Sequence, residues 1–164
     1  MPSSYERWRC LVCGWGVHAL ITMVKVDPWS LHQYWDEVAP DLDVCRVHDK
    51  ESVWLEDIYF AIKSGHAVLH VALADDGKYA GMMVTTLHTD QWEPSQRFLH
   101  VWYLNTRPGF ESVIKHGSDY LDAVARECGA SLITFRADRL AFERWAKPLG
   151  FEVGEIELRK QVNG

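Results

Sequence analysis

Two titratable side chains, His100 and Tyr103, lie in a strand-like run at residues 98–105, and a short loop at 106–110 carries that run into a long amphipathic helix. Histidine ordinarily titrates near neutrality and suits a general base; a tyrosine hydroxyl suits a general acid. A loop that enters a helix N-terminus presents free backbone N–H groups and the positive end of the helix dipole, a setting that holds phosphate. Here the loop reads Asn105-Thr106-Arg107-Pro108-Gly109-Phe110-Glu111-Ser112. Arg107 and Gly109 suit an anion. Pro108 removes one backbone donor, Phe110 adds bulk, and Glu111 sets a negative charge where the anion would sit. The same residues also describe an ordinary helix start with an acidic side chain in its first turn.

Strand alternation places His100 and Tyr103 on opposite faces, so at most one addresses a substrate opening while the other packs under a helix. A histidine among Leu99, Val101 and Trp102 also fits a hydrogen-bonded core position. Glu93 in the polar loop at 89–96, and Glu56 and Asp57 on a helix, are carboxylates that could attract an amine or serve as solvated surface groups. No metal site is expected. Cys10 and Cys13 form one close pair without a second, Cys45 and Cys128 stand apart, and His66, His70 and His88 flank a hairpin without ligand spacing. The cysteines read as reduced thiols. Serine-nucleophile and P-loop patterns are absent from the sequence.

The elements that position these groups follow from turn chemistry and periodicity. Residues 22–26 read as a strand; Asp27-Pro28 starts a helix in which Leu31, Tyr34, Trp35 and Val38 share a face, with Pro40 as its stop. Ser52 is placed to cap a second helix with Leu55, Ile58, Tyr59 and Ile62 on one stripe and Gly65 as its stop. Trp29, Trp35 and Trp54 fall at helical spacing and are expected in the core. Strands at 67–74 and 79–87 are joined by Asp75-Asp76-Gly77-Lys78, the strongest hairpin signal in the chain. After the strand at 97–105 comes a helix to Gly129, with Gly117 on its inner face implying close approach to the sheet. A strand at 132–136, a helix capped by Asp138 and carrying Phe142, Trp145 and Leu149, and a last strand at 151–162 complete the order.

One domain suits the 164 residues, with residues 1–22 as an N-terminal extension ahead of Met23 and the domain proper at 23–164. A net charge of −6 offers no broad cationic surface for nucleic acid. The apolar run at 10–24 is too short to span a bilayer and contains His18, so no membrane segment is expected.

The order β-α-α-β-β-β-α-β-α-β, with Gly81 inside a hairpin strand and Leu149-Gly150-Phe151 after the last helix, resembles the GNAT family of acyl-CoA-dependent N-acyltransferases over roughly residues 22–162. The resemblance implies an α/β (α+β) fold: a mixed, mostly antiparallel six-stranded sheet flanked by four helices, splayed at its fourth strand, with acetyl-CoA in the opening. It implies cofactor contacts at Leu104, Asn105, Arg107, Gly109 and Ser112, and catalytic roles among His100, Tyr103 and Glu93. The family loop has the pattern Arg/Gln-x-x-Gly-x-Gly/Ala, from which the spacing here departs. The family also commonly uses a tyrosine acid on the last helix, where this chain has Trp145 and Ala146. The ending Arg144-Trp145-Ala146-Lys147-Pro148-Leu149-Gly150-Phe151 is similar to that of small GNAT-like proteins of tailed bacteriophages, some of them virion components.

Two functions follow from the resemblance. One is an N-acyltransferase acting on an amine in the cytoplasm. The other is a non-catalytic scaffold that binds a protein partner, in a phage particle or its host.

Overall fold

The turn at 74–78 organises the sheet. Gly77 adopts φ 77°; its N–H donates to the Ala74 carbonyl at 2.8 Å, and the Ala74 N–H donates to Lys78 O at 2.8 Å. Asp76 Oδ1 accepts from the Lys78 N–H at 3.1 Å. These bonds fold β2 (Val68–Leu73) against β3 (Tyr79–Thr89). The computed structural model describes residues 21–48, 53–109, 112–136 and 142–154. In them β1 (Thr22–Lys25), β2, β3, β4 (Arg97–Thr106) and β5 (Leu132–Phe135) form one sheet in sequential order. The first four strands run antiparallel. β5 lies parallel to β4 because α3 (Ser112–Glu127) crosses over between them.

Each face of the sheet is covered by a helical layer. On one side a 3₁₀ turn (Pro28–Gln33), α1 (Trp35–His48) and α2 (Leu55–Lys63) bury Leu31, Val38, Leu42, Ile58 and Ile62 against Leu69, Val71, Met82, Val84 and Tyr103. On the other, α3 sets Val113, Leu121 and Ala125 against Ala72, Met83, Leu99 and Val101. These three lie at multiples of four along α3, one face of the amphipathic helix expected after residue 110.

Several expectations are corrected. Pro40 does not end α1 but lies inside it; it lacks only one N–H, and Asp41 and Leu42 beyond it are buried, so packing carries the helix on to His48. α2 starts at Leu55 with Trp54 as N-cap, and Asp57 Oδ2 accepts from the Trp54 N–H at 3.2 Å; Ser52 lies outside the described residues. Thr22 pairs with Leu73, and Ile21 is only 4% exposed.

The last helix is a π-helical turn (Phe142–Ala146) followed by a 3₁₀ turn (Lys147–Leu149). Pro148 has no N–H to continue an α-helix, and Gly150 at φ 85° reverses the chain. Gly150 N then donates to Lys147 O and Phe151 N to Ala146 O, each at 3.1 Å. Five strands, not six, occur among the described residues: 151–154 are irregular, and the rest of the expected sixth strand and the Asp138 cap lie outside them. Of the three tryptophans expected in the core, only Trp35 packs inward, edge-on to Tyr59. Trp29 and Trp54 are exposed, Trp29 lying under the Lys63 ammonium.

Candidate functional site

β4 and β5 share four pairs, from Phe98↔Leu132 to Val101↔Phe135, and then part. β4 continues to Thr106, so 102–106 extend past the last rung shared with β5 among the described residues. At the same level β4 carries a bulge. Thr85 pairs with Val101 and Val84 with Tyr103, leaving Trp102 as the extra residue. The bulge inverts the alternation that places His100 and Tyr103 on opposite faces. Val101 packs in the α3 cluster, while Tyr103, two residues on, packs in the α1/α2 cluster with Trp102 stacked on it. His100 and Tyr103 therefore share the α1/α2 face. Tyr103 is 2% exposed and sits under the helices rather than in the opening.

An apolar cavity of about 50 Å³ lies where the strands part. Val101 and Leu104 of β4, Val113, Gly117 and Leu121 of α3, Phe135 of β5, and Ala146, Leu149 and Phe151 line it. Gly117 does not mark a close helix-to-sheet approach, because a Cβ built there meets nothing within 4 Å. Its missing side chain leaves free space facing the cavity. The close approach is at Gly81, where a Cβ would stand 2.6 Å from the Asn105 carbonyl oxygen and 3.0 Å from the Thr106 Cα. Neither Trp92 nor Trp102 lines this cavity.

At the upper end of β4 the loop is tied to α1. Arg107 N donates to Ala80 O at 2.9 Å. Its Nε lies 3.2 Å from Asp41, Nη2 donates to Glu37 O at 3.2 Å, and the guanidinium crosses the Tyr79 ring at 5.2 Å. Tyr79 Oη donates to Asp41 Oδ2 at 2.9 Å. Burial, then the bond to Asp41, raises the Tyr79 phenol above its ordinary value, so it stays a donor. Arg107 thus engages α1. Gly109 is left-handed at φ 86°, turning the chain toward α3. Leu104 lines the cavity, the backbone of Asn105 lies against Gly81, and Ser112 is the first residue of α3. Phe110 and Glu111 lie outside the described residues.

His100 sits one residue before the last β4–β5 pair, with Nδ1 2.9 Å from Thr134 Oγ1. Glu93 is far from it, in the loop that closes the β3–β4 hairpin, where its carboxylate accepts from Gln96 Nε2 at 2.7 Å. Asp57 is used at the start of α2, and Glu56 is exposed. His66, His70 and His88 go to three places: His66 against Ser64, His88 against Thr86, and His70 into the core. His70 lies between Tyr120 Oη at 3.0 Å and Thr85 Oγ1 at 2.9 Å. Burial, helped by the Lys25 charge, lowers its pKa to about 3.

Sequence reasoning missed Asp41 and the neighbours of His100. Asp41 follows Val38 by three on the buried stripe, and a charge in that place was a readable sign of a buried partner. Thr86, His88 and Thr134 meet His100 only through the strand register, which no local pattern fixes.

The same architecture occurs in solved acetyltransferases. Glucosamine-6-phosphate N-acetyltransferase of Arabidopsis thaliana shares 14% identity, covering 87% of this chain and 99% of that one, with a TM-score of 0.62. An aminoglycoside acetyltransferase from an uncultured soil metagenomic sample, solved with sisomicin, shares 11% over 87% of this chain and 97% of its own, with a TM-score of 0.64. A putative acetyl transferase of Pyrococcus furiosus shares 13% over 87% and 99%, with a TM-score of 0.63. No family sequence model and no curated protein sequence matches the chain. At these identities the likeness is one of fold, and the chain carries the GNAT acetyltransferase fold. No helix among the described residues is long and apolar enough to cross a membrane.

Proposed function

We propose that this protein is an N-acyltransferase that moves an acetyl group from acetyl-CoA to an amine. One observation carries the reading: β4 runs on past its last pair with β5, leaving a backbone edge beside an apolar cavity and below the start of α3. An unpaired strand edge offers N–H and C=O groups to an extended amide-bearing chain such as pantetheine, and the apolar cavity suits its methylenes and the acyl group. Leu104 and Asn105 would hold the chain through their backbone. Gly109 and Ser112, the latter the first residue of α3, would meet the pyrophosphate through their backbone. Arg107 would act indirectly, by fixing the loop to α1.

In the transfer, the amine nitrogen attacks the thioester carbonyl, the N–C bond forms as the C–S bond breaks, and the nitrogen's proton passes to His100. The thiolate leaves with the CoA and takes up a proton. His100 is the base of choice because it lies one residue from the parting, whereas Glu93 lies at the far end of the hairpin and Tyr103 is covered.

Amide exchange tests the reading. Acetyl-CoA should slow exchange across 102–106 and the first turn of α3 while leaving β1 and β2 unchanged. Unchanged exchange at 102–106 with saturating acetyl-CoA would remove the proposal.

A second reading, a scaffold that binds a protein partner within a phage particle or its host, is favoured by the Arg107 guanidinium. It is occupied by Asp41 and Glu37, which leaves Pro108 and Gly109 without its charge beside an anion. Acetyl transfer to any amine would exclude this reading.

A further inference from the structure

The cavity under α3 is larger than an acetyl group needs. Its volume is about 50 Å³. A water-sized group takes about 10–15 Å³ of such space, so roughly three or four carbon atoms fit. An acetyl group places a single methyl beyond its carbonyl and leaves most of that room unused. The cavity also runs away from the parting, since Met23 of β1, Ala72 of β2 and Met83 of β3 line it together with Val101 and Leu104 of β4. Its walls are apolar, and Ser118 is the one polar side chain among the described residues that line it. Of the four methionines in the chain, the three after Met1 all line this cavity.

We infer that this cavity receives the tail of a straight acyl chain, and that the preferred donor is a short-chain acyl-CoA of about four carbons, in preference to acetyl-CoA. The inference rests on the acyltransferase reading and adds the class of acyl group. Three arguments support it. First, the cavity meets β4 at the right level: Val101, the last β4 residue paired with β5, lines it, and it lies on the α3 face of the sheet. An amide-bearing pantetheine arm bonds along a strand, in the plane of the sheet, whereas a tail that turns out of that plane toward α3 enters the cavity. Second, the methionines make an adaptable wall. An unbranched thioether side chain repacks around guests of different length, and Met23, Met82 and Met83 are each buried against this space.

Third, α3 keeps the space open. Glycine is unfavourable inside a helix, yet Gly117 stands within α3, lines the cavity, and a Cβ there would meet nothing within 4 Å. The missing side chain therefore leaves volume rather than relieving a clash. The chemistry of transfer is unchanged by the longer chain: the N–C bond forms as the C–S bond breaks, and the tail passes to the amine on its carbonyl carbon. Each methylene moved from water into an apolar site is worth about fourfold in affinity, so butyryl, with two methylenes more than acetyl, gains roughly tenfold.

The test is calorimetric titration of the full chain with acetyl-CoA, butyryl-CoA and octanoyl-CoA, which needs no knowledge of the amine. Butyryl-CoA should bind roughly tenfold tighter than acetyl-CoA, and octanoyl-CoA, whose tail exceeds the cavity, should bind more weakly than butyryl-CoA. Gly117→Ala fills about one carbon's volume and should cut the advantage of butyryl-CoA over acetyl-CoA by about fourfold. Thermal unfolding confirms that this variant is folded. Butyryl-CoA no tighter than acetyl-CoA, or octanoyl-CoA as tight as butyryl-CoA or tighter, would overturn the assignment and leave the acyltransferase reading standing. An unchanged butyryl advantage in folded Gly117→Ala would overturn it as well. No heat from any of the three thioesters would overturn both readings.

Discussion

Val101 of β4 pairs with Phe135 of β5, and that is the last rung the two strands share. Trp102, the bulged residue, comes next, so the parting and the bulge coincide at one level of the sheet. The bulge turns Tyr103 into the α1/α2 core, while β4 runs on to Thr106 past its last described pair with β5. The bulge follows from one extra residue in β4, and the cavity beside the parting lies under α3, lined by Val101, Leu104, Val113 and Leu121.

Gly117 sits inside a helix, where glycine costs about 1 kcal/mol relative to alanine. A Cβ there meets nothing within 4 Å. Gly117→Ala is therefore expected to raise stability by about 0.5–1 kcal/mol, read as a higher urea midpoint at unchanged slope. A lower midpoint would show that the space beside the helix is not free.

Gly81 is the opposite case. Its Cβ would meet the Asn105 carbonyl oxygen at 2.6 Å, and a backbone atom held in a ladder cannot step aside. Gly81→Ala should destabilise the protein by about 1–3 kcal/mol. Thermal unfolding of the purified variant decides it.

Asp41 is 6% exposed and accepts from Tyr79 Oη and Arg107 Nε. Removing it strands a half-buried phenol and loosens the tie between α1 and the β4–α3 loop. Asp41→Ala is expected to cost about 1–3 kcal/mol, whereas Tyr79→Phe should cost about 1 kcal/mol. Arg107 is 38% exposed, so its charge adds less than the contact distances suggest. Urea titrations of the two variants should rank them in that order.

His70 carries the pH dependence of the core. Its folded pKa of about 3 lies below the ordinary histidine value of 6.5, so as pH falls below 6.5 the unfolded chain takes up a proton that the folded chain does not. The stability His70 contributes is complete above pH 6.5 and is lost progressively down to about pH 3. The slope approaches about 1.4 kcal/mol per pH unit within that window. The neighbouring phenol does not offset this, since burial, with the Glu127 charge, raises Tyr120 to about 12. Urea midpoints measured from pH 7 to pH 4 should fall for the wild type and fall less for His70→Gln.

How much of this was legible beforehand depended on distance along the chain. The hairpin at Asp76-Gly77, the α3 stripe and the Gly129 stop are short-range signals, and the structure bears them out. Pro40 misled because burial of Asp41 and Leu42 outweighs one missing hydrogen bond. Alternation alone sets His100 and Tyr103 on opposite faces because a bulge leaves no mark in composition, and one inserted residue inverts every later side chain. The tie of Arg107 to Asp41 joins residues 66 positions apart, which no spacing rule reaches. His88 read as a stray histidine until register set it beside His100.

Calorimetric titration of acetyl-CoA into the wild type and into Gly117→Leu tests the central claim, that the opening between β4 and β5 holds the acyl-CoA. The account predicts one site on the wild type and at least about tenfold weaker binding, about 1.4 kcal/mol, once a side chain fills the cavity beside α3. No heat from the wild type at millimolar acetyl-CoA, or equal affinity in a folded Gly117→Leu variant, would contradict it.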